Sequence, residues 1–469
     1  MSSRPDRART RYREIYDRIR GSIADGRLRA GDRLPSARAL AEELRVARGT
    51  VDTAYALLSG EGFLVSRGRS GTIVSPTVPP FSAAKRRADT PRRPGETDPE
   101  DLNYLFNTPL PLTPGLPSFD LFPRTLWSQQ VARQVRRAGI EALSYPDPLG
   151  SAALREALVS YLAVARGIRC SAEQIIITGG YLAAVGLICR TLLEPGAQVW
   201  LETPGYSFTW RAVTSVGGVP VAVRVDAEGF DVTHAIRTAP DASLCIVAPS
   251  NQFPLGVALS LPRRLALLDW AERAGSWIVE DDYTGEFRYD GSPLPALKSL
   301  DRGERVFYVG TFSKSLFPGL RLGYLVAPRA QLPRLRMAVR RLEGGRPALE
   351  QAVVADFITS GHFGRHIKRM RAAYKARKAS LARAVEETFP DRFTIRPSDG
   401  GLNLLLGLGE QDNDLLIEHQ AAAAGLRPMA ISPMTPGAQY QGLLLGFANL
   451  PEHQATAMMQ RLRAALGRD

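Results

Sequence analysis

From residue 170 onward the apolar positions come in short unbroken runs, at 174–178, 198–202, 243–248, 276–281, 306–311 and 322–327. Runs of this length without polar alternation suit strands covered on both faces. Stretches with helical spacing, such as PRRLALLDWAERA at 262–274, separate them. The alternation predicts an α/β body with a mainly parallel sheet. The first 75 residues keep a different rhythm. Tyr12, Ile15, Tyr16, Ile19 and Ile23 recur on one helical face. Ser36 suits the N-cap of a short helix carrying Leu40, Ala41 and Leu44. A turn at 45–47 leads to a second helix with Val51, Ala54, Tyr55 and Leu58 inward. Two short helices so joined form a helix-turn-helix. FLVSRGRSGTIVS, at 63–75, then reads as two strands around a glycine-rich turn, a wing.

Residues 76–102 carry six prolines and many charges, and from Pro76 to Asp101 only Val78 and Phe81 are sizeable apolar groups. Such a segment buries too little surface to offset its ordering entropy and reads as a semi-extended linker. The predicted domains are therefore 1–75, a linker at 76–102 and a body at 103–469. Charge sharpens this division. Residues 1–75 hold 15 Lys and Arg against 9 Asp and Glu, a net of +6, and the other 394 residues hold the remaining +7 of the total +13. A basic module ahead of a nearly balanced body points to a polyanion partner for the front part. No apolar run approaches the ~20 residues of a membrane span, and the opening residues lack the apolar core of a secretory signal. Three scattered cysteines, Cys170, Cys189 and Cys245, fit a reducing cytosol and no disulfide framework.

In the front module the pattern LPS-x-R-x-LA-x-x-L, TV-x-x-AY-x-x-L and EG runs from Leu34 to Gly62. On it, residues 10–75 resemble the winged helix-turn-helix of GntR-type transcription regulators, mainly α with a β wing. The resemblance implies double-stranded DNA as partner. It brings Arg38 to the DNA from the first helix of the motif, and Arg48 and Thr50 from the start of the recognition helix. Arg33, Ser36 and the wing tip at Gly71 complete the implied contacts. Arginine can pair bidentately with guanine, worth ~1–3 kcal/mol of discrimination. Ala47 and Gly49 stand where that family often has Ser or Thr, so the recognition helix lacks a customary cap.

In parallel α/β sheets ligands sit beyond the carboxyl ends of strands. Thr178-Gly179-Gly180-Tyr181 follows the first run, a glycine turn opening a helix and so a ready anion site. Tyr206 follows the second, Asn251 the third, and Glu280-Asp281-Asp282-Tyr283 ends the fourth, with acids that need a cationic partner if buried. YVGTFSKSLFPGLR at 308–321 ends the fifth, with Thr311, Ser313, Lys314 and Arg321. A phosphate cradle, a stacking ring, an acid, a phenol and a lysine together suit pyridoxal 5′-phosphate. Their order resembles the fold-type I aminotransferases over nearly all of 103–469. That implies a large PLP-dependent transferase fold with a smaller C-terminal α+β part. It also implies Lys314 as the Schiff-base lysine, Asp281 at the pyridine nitrogen, Tyr283 at the ring hydroxyl and Tyr206 stacked on the ring. Gly179, Gly180, Ser313 and Arg321 would hold the phosphate, with Tyr181, Asn251 and Thr311 completing the cofactor set.

A GntR-type module, a linker and an aminotransferase-like body resemble the MocR subfamily of regulators. The resemblance implies a head-to-tail, domain-swapped homodimer and a small-molecule effector. One departure bears on activity. Aminotransferases grip the substrate carboxylate with an arginine near the C-terminus, and in YQGLLLGFA, at 440–448, Leu444 occupies that place. Two functions follow: a DNA-binding regulator whose body senses a vitamin B6 vitamer or an amine- or amino-acid-type effector, or a working aminotransferase with an appended DNA reader. The intact winged helix and the missing arginine favour the first, so efficient turnover is not expected. No metal site is expected, because His362 and His366 lack a third ligand, and Glu202 reads as a capping or salt-bridge residue.

Overall fold

The computed structural model describes residues 5–68, 71–77, 109–289, 294–342, 344–409, 411–434 and 440–467. The chain folds as two compact units, Met1–Phe106 and Asn107–Asp469. Most of the linker expected at 76–102 lies outside the described residues.

The first unit holds α1 (Pro5–Ala24), α2 (Ala37–Glu43), α3 (Arg48–Gly60), β1 (Leu64–Ser66) and β2 (Thr72–Val74). Ile15, Ile19 and Ile23 of α1 pack with Val51, Ala54, Tyr55 and Leu58 of α3 in one apolar cluster. Tyr12 and Tyr16 flank it. Ser36 caps α2, its hydroxyl accepting from the Ala39 N–H at 3.2 Å. The α2–α3 turn places Arg45 at φ 50°, the left-handed region, and β1 pairs antiparallel with β2 as the wing.

In the second unit one sheet holds β3 (Ile175–Thr178), β4 (Gln198–Thr203), β5 (Val219–Asp226), β6 (Gly229–Phe230), β7 (Leu244–Val247), β8 (Trp277–Asp282), β9 (Val306–Thr311) and β10 (Gly323–Val326). Their order is β3-β10-β9-β8-β7-β4-β5-β6. β9-β8-β7-β4-β5 run parallel, whereas β10 is antiparallel to both neighbours and β6 to β5. Every residue of β3, β7, β9 and β10 is buried, as the unbroken apolar runs require. The expected strands fall within two residues of these, except that Gln174 closes a 3-10 turn instead of opening β3. Sequence reading did not separate out β5 and β6. β5 carries an alternating, half-exposed pattern rather than a buried run.

The helices of this unit are α4 (Arg124–Arg137), α5 (Ala152–Arg166), α6 (Tyr181–Leu192), α7 (Ser207–Thr214), α8 (Val232–Thr238), α9 (Leu261–Ala274), α10 (Leu297–Leu300), α11 (Phe312–Ser315), α12 (Leu332–Leu342), α13 (Ala348–Thr359), α14 (His362–Thr388), α15 (Asp414–Ala423) and α16 (Ala455–Leu466). A second, antiparallel sheet, β11 (Thr394–Arg396), β12 (Asn403–Gly407), β13 (Met429–Ala430) and β14 (Leu443–Gly446), has the order β11-β12-β14-β13. The basic helix α14 is anchored rather than simply solvated. Arg377 is buried and pairs with Asp120 at 2.6 Å, and the Tyr374 hydroxyl accepts from the Ser118 N–H at 2.9 Å.

The register fixes the site. Gly323, which opens β10, lies opposite both Thr178 and Thr311, while Asp281 and Asp282 lie opposite Val309 and Gly310. The carboxyl ends of β3, β9 and β8 therefore gather along one edge of the sheet.

Candidate cofactor site and nucleic-acid interface

In the first unit Arg38 and Arg48 are exposed on α2 and at the start of α3. Ala47 gives α3 no side-chain cap. Instead Arg48 reaches forward to Asp52 at 3.4 Å, an exposed i,i+4 pair of little energetic weight. Thr50 sits half-buried in the first turn. Arg33 bridges to Ile73 of the wing. Gly71 takes φ +90°, and a methyl group there would lie 3.0 Å from the Arg33 guanidinium, so Arg33 and the wing tip share one surface.

In the second unit the strand-end residues converge. Lys314, on the short helix α11 after β9, donates from Nζ to the Gly115 carbonyl at 2.8 Å. Gly115 takes φ +71°, and a Cβ there would lie 3.0 Å from that Nζ, so only glycine fits. Its N–H donates to Asn403 Oδ1 at 2.7 Å, tying the Lys314 contact to β12. Thr311 caps α11 by accepting from the Ser313 N–H at 3.1 Å. Beneath the same helix, His366 donates to the Ser315 carbonyl at 3.0 Å, and burial lowers its pKa to about 4. His366 is thus a neutral strut.

Burial pushes the Lys314 amine down to about 8, with Asp281 opposing. Asp281 is pushed far up, by burial first and then by Glu202 and Asp282, with Lys314 opposing. One Asp281 oxygen, Oδ1, is buried without a hydrogen-bond partner. A buried carboxyl with a spare acceptor suits a protonated pyridine nitrogen. Tyr283 and Asn251 stand beside it, Asn251 Nδ2 donating to the Tyr283 hydroxyl at 3.0 Å. The Tyr206 ring closes the other side, with Tyr181 at 6.0 Å and Phe253 edge-on at 5.9 Å. Asp281, Tyr181 and Tyr206 line one small cleft. An orphaned acceptor, a depressed amine and an aromatic wall fit pyridoxal 5′-phosphate.

The three consecutive acids stand in three different surroundings. Glu280 accepts from the Leu297 and Lys298 N–H groups, both at 2.8 Å. Asp282 faces away from the cleft to Arg166 at 2.6 Å and accepts from the Tyr308 hydroxyl at 2.6 Å. Asp281 alone of the three lines the cleft with Tyr206.

Glu202 does not serve as a helix cap, and among the described residues it makes no ion pair. Its Oε1 accepts from the Ala248 N–H at 3.2 Å, linking β4 to the end of β7. Burial pushes its pKa up to about 8. Unfolded, it ionises near 4.5, so its stabilisation is complete below that pH and is lost as pH climbs through about 8. Glu202→Gln, which keeps the acceptor and removes the proton, should flatten the decline in melting temperature between those limits. An unchanged slope would show Glu202 to be ionised in the fold.

At the phosphate end, Gly180 has φ +105° and opens α6, a conformation that favours glycine. Gly323 packs against it: a Cβ there would lie 2.9 Å from Gly180 Cα. Arg321, just before, is exposed with φ +52°. Gly179 and Arg321 border one cavity of about 580 Å³. Arg346 also borders it, a residue that sequence reading missed along with Gly115, Asn403 and Phe253.

The family model for aminotransferase class I and II matches residues 112–441, and that for bacterial regulatory proteins of the gntR family matches 11–74. The probable rhizopine catabolism regulatory protein MocR of Rhizobium meliloti is 34% identical over 469 residues, 97% of this chain and 93% of that protein. The pyridoxine biosynthesis transcriptional regulator PdxR of Corynebacterium glutamicum is 32% identical over 449 residues, 94% and 92% of the two chains. The chain belongs to the MocR-type GntR regulators. As in that family, a helix-turn-helix transcription regulator carries an aminotransferase-like body. The body also superposes on kynurenine aminotransferase of Pyrococcus horikoshii, solved in complex with PMP, with a TM-score of 0.71 and 26% identity over 78% of this chain and 93% of that one.

Within this MocR-type body Leu444 is buried on β14, opposite Leu405 and Met429. It packs with Leu405 and Ile431, and Phe253, Leu255 and Met429 close over them. Phe253 stands between Tyr206 and Tyr283, with ring centroids 5.9 and 6.4 Å away. The place expected to hold a carboxylate-gripping arginine is thus part of an apolar wall continuous with the cleft. Arg211 lies exposed over the Phe208 ring at 5.5 Å.

Proposed function

We propose that this regulator binds pyridoxal 5′-phosphate in its aminotransferase-like body and uses that site to sense a small molecule, not to run efficient transamination. When bound, the cofactor supplies an aldehyde and an electron-withdrawing ring. Lys314 offers a buried amine that is largely deprotonated above about pH 8. Asp281 offers its free oxygen to the ring nitrogen, and Tyr283, positioned by Asn251, faces the ring hydroxyl. Tyr206 supplies the stacking face. Thr311, by capping α11, orients Ser313 and Lys314. Gly179, Gly180, Tyr181 and Arg321 complete the cofactor set.

The observation that carries the sensor reading is Leu444 in its apolar cluster. A buried carboxylate needs a paired cation, and the described residues of this wall are apolar. The effector that suits it is the vitamer itself or an amine without a carboxylate at that place. The DNA face would comprise Arg33, Ser36, Arg38, Arg48, Thr50 and Gly71, in a domain of residues 1–75 joined by a linker at 76–102 to the body at 103–469. A cytoplasmic protein suits this role. A homodimer, which the family resemblance implies to be head-to-tail and domain-swapped, is supported as far as pairing goes by the apolar side chains that the second unit leaves bare. Ile140 is 80% exposed, Leu143 86% and Tyr145 97%, more than a monomer's surface commonly shows in one short segment.

Spectral titration of the cofactor-loaded protein with matched pairs tests this directly, each pair an amine and its α-carboxylated amino acid. The amine should perturb the cofactor band at equal or lower concentration. A tenfold preference for the amino acid, or its rapid deamination, would restore the aminotransferase reading.

A further inference from the structure

The cavity beside the Gly179 turn is lined by two arginines, Arg321 and Arg346. A methyl group on Gly179 would lie 3.1 Å from Arg346 Nη1, so Arg346 rests against the glycine turn itself. It shares the cavity of about 580 Å³ with Gly179 and Arg321. Its mount is built. Gln351, only 1% exposed, donates from Nε2 to the Arg346 carbonyl at 2.8 Å and accepts at Oε1 from the Ser151 N–H at 2.7 Å. Gly345 before it takes φ +84° and packs so closely on Pro146 that a Cβ would lie 2.8 Å away. The chain at Arg346 is thereby locked to the start of α5 on one side and to the segment before Leu149 on the other.

Charge points the same way. Burial lowers the Arg346 pKa, and the charge of Arg321 lowers it further. The two cations are close enough to repel. Among the described residues that line the cavity, Glu350 is the one acid beside Arg321 and Arg346. One guanidinium against the glycine turn and a second lining the same cavity suit a dianion with several acceptor oxygens.

We propose that Arg346 is a second phosphate ligand beside Arg321, so that the site discriminates phosphorylated from unphosphorylated B6 vitamers by charge. This rests on the cofactor reading above. A dianion held in that cavity would meet both arginines, and an unphosphorylated vitamer would meet neither charge.

The test titrates pyridoxal 5′-phosphate and pyridoxal into apo wild type, Arg346→Gln and Arg346→Lys, following the visible band, with inorganic phosphate as competitor. Arg346→Gln should weaken the phosphorylated ligand about tenfold or more and pyridoxal less than about twofold, since one charge-assisted pair is worth ~1.5–3 kcal/mol. Arg346→Lys should fall between, having charge without the fork. Inorganic phosphate should compete less well against pyridoxal 5′-phosphate in Arg346→Gln than in wild type. Equal affinity in wild type and Arg346→Gln, or equal loss for both ligands, would overturn the assignment. If Arg346→Gln fails to fold by circular dichroism, an unchanged ratio of the two ligands in Arg346→Lys does so instead. Failure of the cofactor reading looks different: wild type would then develop no band, or Lys314→Ala would keep it.

Discussion

Lys314→Ala should yield a folded protein that shows no Schiff-base band after incubation with pyridoxal 5′-phosphate and removal of the unbound excess, and whose affinity for it is weakened ~tenfold or more. Lys314 Nζ is a buried amine within electrostatic reach of Asp281, and among the described residues it donates to a backbone carbonyl that a ligand can replace. Its depressed pKa adds a kinetic signature. The ammonium form has no lone pair to offer an aldehyde, so the rate at which the band appears should rise as pH approaches about 8 and then level. An ordinary lysine would keep accelerating towards 10.5. A band that survives in Lys314→Ala would remove the cofactor assignment.

The largest stability loss is expected at Arg166, outside the cleft. Its side chain is 2% exposed, pairs with the 1% exposed Asp282, and donates to Ser250 Oγ at 2.9 Å and to the Gly285 and Leu294 carbonyls. Gly285 is glycine for the same reason: a methyl there would lie 2.6 Å from the guanidinium and collide with the Asp282 carboxylate. Removing one member of a buried pair leaves the other charged without a partner, at a cost of ~3–5 kcal/mol. Arg166→Ala should lower the urea midpoint accordingly, and Arg166→Lys should recover part of it. A shift below ~1 kcal/mol would mean that water reaches Asp282. Because Asp282 adjoins Asp281, the same variant should also weaken pyridoxal 5′-phosphate.

What could be read from the chain was whatever is local. The run YVGT needs both faces covered, and Thr311, Lys314 and Arg321 follow from its position at a strand end. Ser36 as a cap and the helical spacing of Ile15, Ile19 and Ile23 are equally short-range. The partners across the sheet were not legible. Glu280, Asp281 and Asp282 announced a need for compensation, but nothing local says that Arg166 lies 116 residues upstream. Gly115 meets Lys314 across 199 residues. Arg346 sits in a GGRP loop whose sequence signals a turn and no chemistry. The antiparallel C-terminal sheet was expected only through family resemblance, since β12 and β14 are short leucine runs without alternation. Leu444 was legible for the opposite reason, as the wrong residue in a recognisable place.

The most direct measurement is the affinity of wild type and Lys314→Ala for a DNA fragment selected from genomic DNA by the wild-type protein, each without pyridoxal 5′-phosphate, with it, and with it plus an amine, at fixed salt. Pyridoxal 5′-phosphate, alone or with the amine, should shift wild-type affinity about 5–150-fold, the range of ~1–3 kcal/mol of coupling between two sites, and leave Lys314→Ala unmoved. Equal wild-type affinities for the apo protein, the protein with pyridoxal 5′-phosphate and the protein with pyridoxal 5′-phosphate plus an amine would contradict a body that senses through Lys314.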